Sequence, residues 1–194
     1  MSIMSLYYGH LSIIIIIFAI SLVTLGNWGL QQQVNAQNAT TGNFKLYTSP
    51  IHGFSIEHPS DWKVVESEGA VDFRTEASTS SFPIVSIAVT NPSKYPYNES
   101  LTLKNRTIQQ TAEEWLYFYS LVGGAFKKLK QYDVIIAGNP GIKIEYLWYN
   151  NYNYDFFTII DGILYQFTYS DLPANVPVTV QLANKMVESF KITK

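Results

Sequence analysis

The chain has 194 residues, no cysteine, and 13 basic against 15 acidic side chains, for a net charge of −2. That balance excludes a protein that tracks nucleic-acid phosphates, which needs a basic stripe. The missing thiols exclude a disulfide framework, a thiolate zinc site, a cysteine nucleophile and an acylated lipoprotein cysteine. Charged residues make up 14% and aromatic residues 15%, against about 25% charged in ordinary domains, so the surface is predicted to be largely Tyr, Asn, Ser, Thr and Gln.

The first feature along the chain is the uncharged apolar run Leu11 to Leu25, LSIIIIIFAISLVTL. As a helix it is about 22 Å long, short of a hydrocarbon core of about 30 Å, and it has the length of a signal-peptide core. Val34-Asn35-Ala36 before Gln37 is a small-x-Ala cleavage pattern. Extended from Leu6 to Leu30, the run would cross a bilayer. Residues 1–36 therefore read either as a signal peptide or as an uncleaved amino-terminal membrane anchor. In both readings the domain is extracytoplasmic, secreted or held on the outer face of the cell membrane. Residues 37–43, QNATTGN, read as a flexible tether. A single domain is predicted over 44–194, and roughly 155 residues bury about two-thirds of their unfolded surface without help from metal or disulfide.

Within the domain, Phe54 and Ile56 alternate on one strand face. His58-Pro59-Ser60-Asp61 has turn chemistry before Trp62 to Val65, so a hairpin is predicted with Trp62 as a core anchor. Val71 to Thr75 and Ile84 to Thr90 read as further strands. Thr107-Ile108-Gln109-Gln110 has the spacing of a capping box, and Ile108, Ala112, Trp115, Leu116 and Tyr119 recur at helical intervals up to Gly123-Gly124. Strands are predicted over Phe126 to Ile136, Ile142 to Tyr149, Tyr154 to Ile160 and Ile163 to Ser170. The turns between them are Gly138-Asn139-Pro140-Gly141 and the strong hairpin signal Asp161-Gly162. A closing helix starts near Pro177 and aligns Leu182, Ala183, Met186, Val187 and Phe190. The order implies an α+β domain, an antiparallel sheet with helices on its faces.

Tyr47-x-Ser49, Gly53-Phe54-Ser55-Ile56-x-x-Pro59-x-Asp61-Trp62, the turn Gly138-Asn139-Pro140-Gly141, Asp161-Gly162-Ile163-Leu164-Tyr165 and Met186-Val187-Glu188-Ser189-Phe190 together resemble the PsbP family. The resemblance spans nearly the whole domain. It implies an α/β/α sandwich around a central antiparallel sheet. It also implies a range of roles: an extrinsic subunit of the photosynthetic oxygen-evolving complex, assembly factors for membrane complexes, and a Ran-binding transport factor. The chain lacks the Arg-rich transit peptide of chloroplast members and the lipobox cysteine of cyanobacterial ones, and is similar to exported standalone prokaryotic members.

Residues able to do chemistry are few. His52 and His58 are the domain's histidines, and six residues of extended chain separate them by about 20 Å, too far to share one metal. The turn holding Glu57, His58 and Asp61 could hold an ion but supplies no fixed third ligand, so it reads as an ordinary exposed turn. No G-x-S-x-G elbow occurs. Glu113 and Glu114 are adjacent on a helix, point about 100° apart, and read as solvated charges. The expectation is therefore no catalytic residue, no metal and no cofactor. In the basic run Lys127, Lys128 and Lys130, strand alternation puts Lys128 and Lys130 on one solvated face.

Aromatic residues supply the candidate site. Tyr146, Trp148, Tyr149, Tyr152, Tyr154, Phe156 and Phe157 crowd one hairpin, with a predicted tip of Asn150-Asn151-Tyr152-Asn153. Tyr146 and Trp148 fall on the core face with Ile142 and Ile144, whereas Tyr149 and Tyr152 are the candidate contact residues. The plainer alternative is that the rings merely cover a sheet. Asn38, Asn98 and Asn105 head glycosylation sequons. The expected function is a non-enzymatic accessory or interaction subunit of a membrane or cell-surface complex. Its partner is an unidentified membrane or cell-surface protein, with the membrane itself reached through the amino-terminal segment if uncleaved. The alternative is a solute- or glycan-binding module using the aromatic hairpin.

Overall fold

The computed structural model describes residues 43–75, 84–90, 107–121, 126–149, 151–171 and 176–193. The leader, the sequon asparagines Asn38, Asn98 and Asn105, and Gly123-Gly124 lie outside the described residues. The elements in chain order are β1 (Phe44–Ser49), β2 (Phe54–Pro59), β3 (Trp62–Glu66), β4 (Ala70–Thr75), β5 (Ile84–Thr90), α1 (Ile108–Leu121), β6 (Phe126–Ile136), β7 (Asn139–Trp148), β8 (Asn151–Ile160), β9 (Ile163–Asp171), α2 (Val176–Ser189) and β10 (Lys191–Ile192). No described helix is long and apolar enough to cross a membrane.

A seven-stranded antiparallel sheet runs in the order β3-β4-β5-β9-β8-β7-β6, and a three-stranded sheet in the order β1-β2-β10. The alternation of β5 explains its place at the centre of the domain. Val85, Ile87 and Val89 are buried toward α2, while Ser86 and Ala88 face the other way. α2 lays Leu182, Ala183, Met186 and Val187 on that same face, where Phe54 and Ile56 of the small sheet join them. α1 covers the opposite face through Ile108, Ala112, Trp115 and Leu116, packed against Ile142, Ile144, Tyr146 and Phe157. The result is an α/β/α sandwich with the small sheet beside α2.

Local chemistry matches the elements. Thr107 N donates to Gln110 Oε1 at 3.0 Å and Gln110 N donates to Thr107 Oγ1 at 3.2 Å, closing the reciprocal cap of α1. The β6–β7 and β8–β9 connections each hold two central residues at positive φ, Ala137 (49°) with Gly138 (78°) and Asp161 (51°) with Gly162 (76°). That is the two-residue turn whose twist suits a hairpin. Strand β7 accordingly starts at Asn139, three residues earlier than expected.

Two expectations are corrected. The stretch from Phe54 to Val65 is no hairpin: β2 pairs with β1 and β10, and β3 pairs with β4 in the other sheet. The turn chemistry at Ser60-Asp61 moves the chain between sheets, because Trp62, 2% exposed, is needed in the core of the larger one. Lys128 and Lys130 do not share a face. A bulge at Leu129 sets Lys128 opposite Tyr146 and Lys130 opposite Glu145, neighbours in β7 that point to opposite sides.

Gly141 sits where β7 crosses closest to its neighbours. A Cβ there would meet the Phe157 carbonyl oxygen at 2.8 Å and Ile136 Cδ1 at 3.0 Å, whereas one at Gly69 meets nothing within 4 Å. Gly141→Ala is expected to destabilise by about 1–3 kcal/mol and Gly69→Ala to be near neutral, as read from urea denaturation midpoints.

Candidate functional site

The end of the sheet where β6 begins and β7 turns into β8 gathers the aromatic residues. Register places Phe126 opposite Trp148 and Trp148 opposite Asn151, so Tyr149 stands at the tip. This is tighter than the predicted Asn150–Asn153 tip, because β8 already begins at Asn151. α1 comes down on the same end. Tyr119 stacks on Phe126 at 5.9 Å between ring centroids, meets Trp148 edge-on at 5.0 Å and lies 5.6 Å from Tyr146. Trp115 adds contacts to Tyr119 at 5.3 Å and Phe157 at 6.4 Å. Edge-to-face and offset rings of this kind give rigid contact area at low entropy cost.

The two predicted contact residues part company. Tyr149 is 61% exposed, with its ring 5.8 Å from Trp148 and its backbone at φ 47°. A tyrosine in the left-handed region is uncommon and costs on the order of 1 kcal/mol. Tyr152 is not at the tip. It belongs to β8, is half-buried against the face that α2 covers, and packs edge-on to Tyr154 at 6.4 Å. Burial, and then a hydrogen bond to the Glu145 carboxylate, push its hydroxyl well above the ordinary tyrosine value. Tyr146 and Trp148 lie on the core face beside Ile142 and Ile144, as expected.

Beneath α1 lies a group that sequence reading missed. Asp155, 1% exposed, projects from β8 into a cavity of about 10 Å³ lined by Trp115, Leu116, Tyr119, Ile144, Tyr146 and Phe157. Its Oδ2 accepts from Gln166 Nε2 at 3.1 Å and from the Tyr146 hydroxyl at 3.4 Å, while Oδ1 makes no hydrogen bond. Burial pushes its carboxyl up to about 7, only partly offset by its polar neighbours Thr168, Gln166 and Tyr146. Burial and the Asp155 charge in turn drive the Tyr119 and Tyr146 hydroxyls far up. The available signal was an acid between Tyr154 and Phe156, inside an aromatic-rich strand.

Neither histidine builds a metal site. His58 is not in an exposed turn: it is 1% exposed, with its ring 5.2 Å from Phe73 and 6.4 Å from Tyr47, and its Nδ1 makes no hydrogen bond. Burial, then the Lys45 charge, lowers its pKa, against a backbone hydrogen bond at Pro59 and the Asp61 charge. His52 stacks on Phe54 at 6.3 Å and its Nε2 lies 2.9 Å from the Ser67 carbonyl oxygen. Among the described residues no three His, Asp or Glu side chains could together hold an ion.

The two buried groups pull stability in opposite directions with pH. Asp155 is raised, so its contribution is fully present below about pH 4 and is lost as pH rises through about 7, a change on the order of 4 kcal/mol. His58 is lowered, so its contribution is present above about pH 6.5 and is lost as pH falls below it. Asp155→Asn is expected to remove the loss of stability between about pH 4 and about pH 7, leaving only the acid-side loss that His58→Gln removes. Urea midpoints across that range check both.

No protein-family model matches the chain, and no curated protein does. Solved structures do. The solution structure of cyanobacterial PsbP (CyanoP) from Synechocystis sp. PCC 6803 matches with a TM-score of 0.57 at 16% identity, covering 88% of this chain and 98% of that one. A protein of unknown function from Pseudomonas aeruginosa matches at 0.49 and 17% identity, over 76% of this chain and 96% of its own. LpqN, involved in cell envelope biogenesis of Mycobacterium tuberculosis, matches at 0.45 and 14%, over 88% and 100%. Identities this low speak to the fold alone, and the fold of this chain, an α/β/α sandwich about an antiparallel sheet, is PsbP-like.

Proposed function

We propose that this is an extracytoplasmic, non-enzymatic PsbP-like domain that serves as an accessory or interaction subunit of a membrane or cell-surface complex, with the aromatic tip as its contact surface. The apolar leader pattern at Leu11 to Leu25 supports the compartment. The observation that carries the reading is Tyr149, held at φ 47° and 61% exposed against a fixed Trp148 ring. A strained, exposed tyrosine on a rigid aromatic base does nothing for the core and has the chemistry of a recognition anchor. The alternative, a solute- or glycan-binding module, would draw on the same hairpin, with the exposed Tyr149 ring stacking on a sugar.

The test is affinity capture of the tagged protein from gently solubilised native membranes. A stoichiometric companion is expected, with Tyr149→Ala lowering its recovery about tenfold, as truncation of a central anchor costs more than about 1 kcal/mol. Unchanged recovery would remove the tip from the reading. Stabilisation by a soluble sugar in a thermal-shift screen would favour the alternative.

A further inference from the structure

We infer that the aromatic tip docks on the anionic headgroup layer of a lipid bilayer, an assignment that rests on the reading above and names what its contact surface first meets. The tip presents side chains that the core does not claim. Tyr117 is 66% exposed, Leu121 63% and Tyr149 61%. Tyr149 borders the half-buried ring stack of Tyr119, Phe126 and Trp148, which ties the end of α1 to the start of β6 and the end of β7, while Tyr117 and Leu121, each two residues from Tyr119, stand on the outward face of the same end of α1. Amphipathic tyrosines on a rigid base suit the membrane–water interface, where a ring meets the acyl boundary and its hydroxyl stays wet.

The exposed charge at this end is mainly basic. No acidic residue occurs from Trp115 to Gln131 or from Tyr146 to Tyr154, a span that includes Lys127, Lys128 and Lys130. The acids that border it are Glu145, opposite Lys130 and ion-paired with Lys143 at 3.1 Å, and Asp155, which follows Tyr154 and is buried under α1. Asp171, opposite Tyr152 across β8 and β9, is likewise buried and accepts from Thr179 Oγ1 at 2.6 Å. The bulge at Leu129 spreads the three exposed lysines over both sides of the β6 edge, so the aromatic tip has cations on each flank. A domain of net charge −2 that concentrates its lysines beside exposed rings is complementary to anionic headgroups. The apolar run at Leu11 to Leu25, where it is kept as an anchor, holds the domain beside a membrane surface.

Because the chain has no cysteine, one introduced thiol can be labelled at a chosen position. The full chain, leader retained, is placed in vesicles of phosphatidylcholine alone or with phosphatidylglycerol, carrying an environment-sensitive fluorophore at Tyr149→Cys or, as a second tip probe, Tyr117→Cys. Glu188→Cys, exposed on α2 across the sheet, is the reference position. The expected result is a blue-shifted tip probe, quenched by nitroxide-labelled lipid in anionic vesicles and not in neutral ones, while the reference stays in water. Changing Lys127, Lys128 and Lys130 to Gln is expected to lower the docked-to-free ratio on the order of a hundredfold, at about 1 kcal/mol per basic residue near the surface. Added salt is expected to weaken docking in the same direction. Tip probes as solvent-exposed as the reference in both vesicles overturn the proposal, and equal quenching in the two lipids overturns the assignment to anionic headgroups. Shielding that appears only in native, protein-containing membranes overturns it too, while leaving the protein-contact reading standing.

Discussion

Phe190 is the side chain on which the arrangement of the domain turns. It follows directly after α2 and is 1% exposed. Its ring lies 5.2 Å from Phe54 of the small sheet and 5.3 Å and 4.8 Å from Tyr165 and Phe167 of the large one. One aromatic ring thus joins the two sheets and the helix between them, and the chain then enters β10, pairing Lys191 and Ile192 with Ser55 and Phe54. Polar links repeat the junction at the other side: Ser49 donates to the Glu66 carboxylate, and burial with that same carboxylate pushes the Tyr47 hydroxyl up to about 12. Phe54 and Ile56 extend the same contact along α2, and three short strands cannot bury a face alone.

The two faces of the large sheet are built on different terms. The α2 face is apolar and closely packed, with Val71, Phe73, Val85, Ile87, Phe167 and Met186 at 1% exposure or less. The α1 face mixes rings with Asp155, Gln166, Ser86 and Asp72, the last two joined by a Ser86 Oγ bond to Asp72 Oδ1 at 2.7 Å. Arg74 pairs with Asp72 at 2.6 Å on this side. A buried carboxyl with one unpartnered oxygen costs stability, and it lies under the thinner layer, since α1 buries only Thr111 and Ala112 fully. The α1 side is therefore the softer half of the molecule, and the rings that hold α1 down are the same ones that support the exposed tip. Rigidity at the tip and seating of the helix are one packing problem.

Much of the architecture was legible because its signals are local. Thr107 and Gln110 lie three residues apart and cap each other, Asp161-Gly162 adopts the backbone its composition favours, and the alternation in Ile84 to Thr90 matches a half-buried strand. Where sequence reading failed, a distant partner decided. Pro59-Ser60-Asp61 is turn chemistry in either a hairpin or a crossover, and only the pairing of β3 with β4 distinguishes them. Period-2 alternation through Lys128 and Lys130 is broken by a bulge that depends on Tyr146 and Glu145 across the strand. β1 was not recognised because FKLYTS, with Lys45 and Leu46 exposed, has no clean apolar face and is a strand through its pairing with β2.

The candidate site divides the same way. The aromatic hairpin, the core placement of Tyr146 and Trp148, and the exposure of Tyr149 follow from composition, spacing and strand period, which act within a few residues. Sequence alone also determined the charge balance, the cysteine-free chemistry and the PsbP-like class of fold. Tertiary structure decided that Tyr152 is a strand residue bound to Glu145, that His58 is a core side chain, and that Asp155 is a sheltered carboxyl under α1. Burial and protonation of a single side chain depend on which strands and helices pack around it. That information is spread over β7, β8, β9 and α1, and no short stretch of the chain contains it.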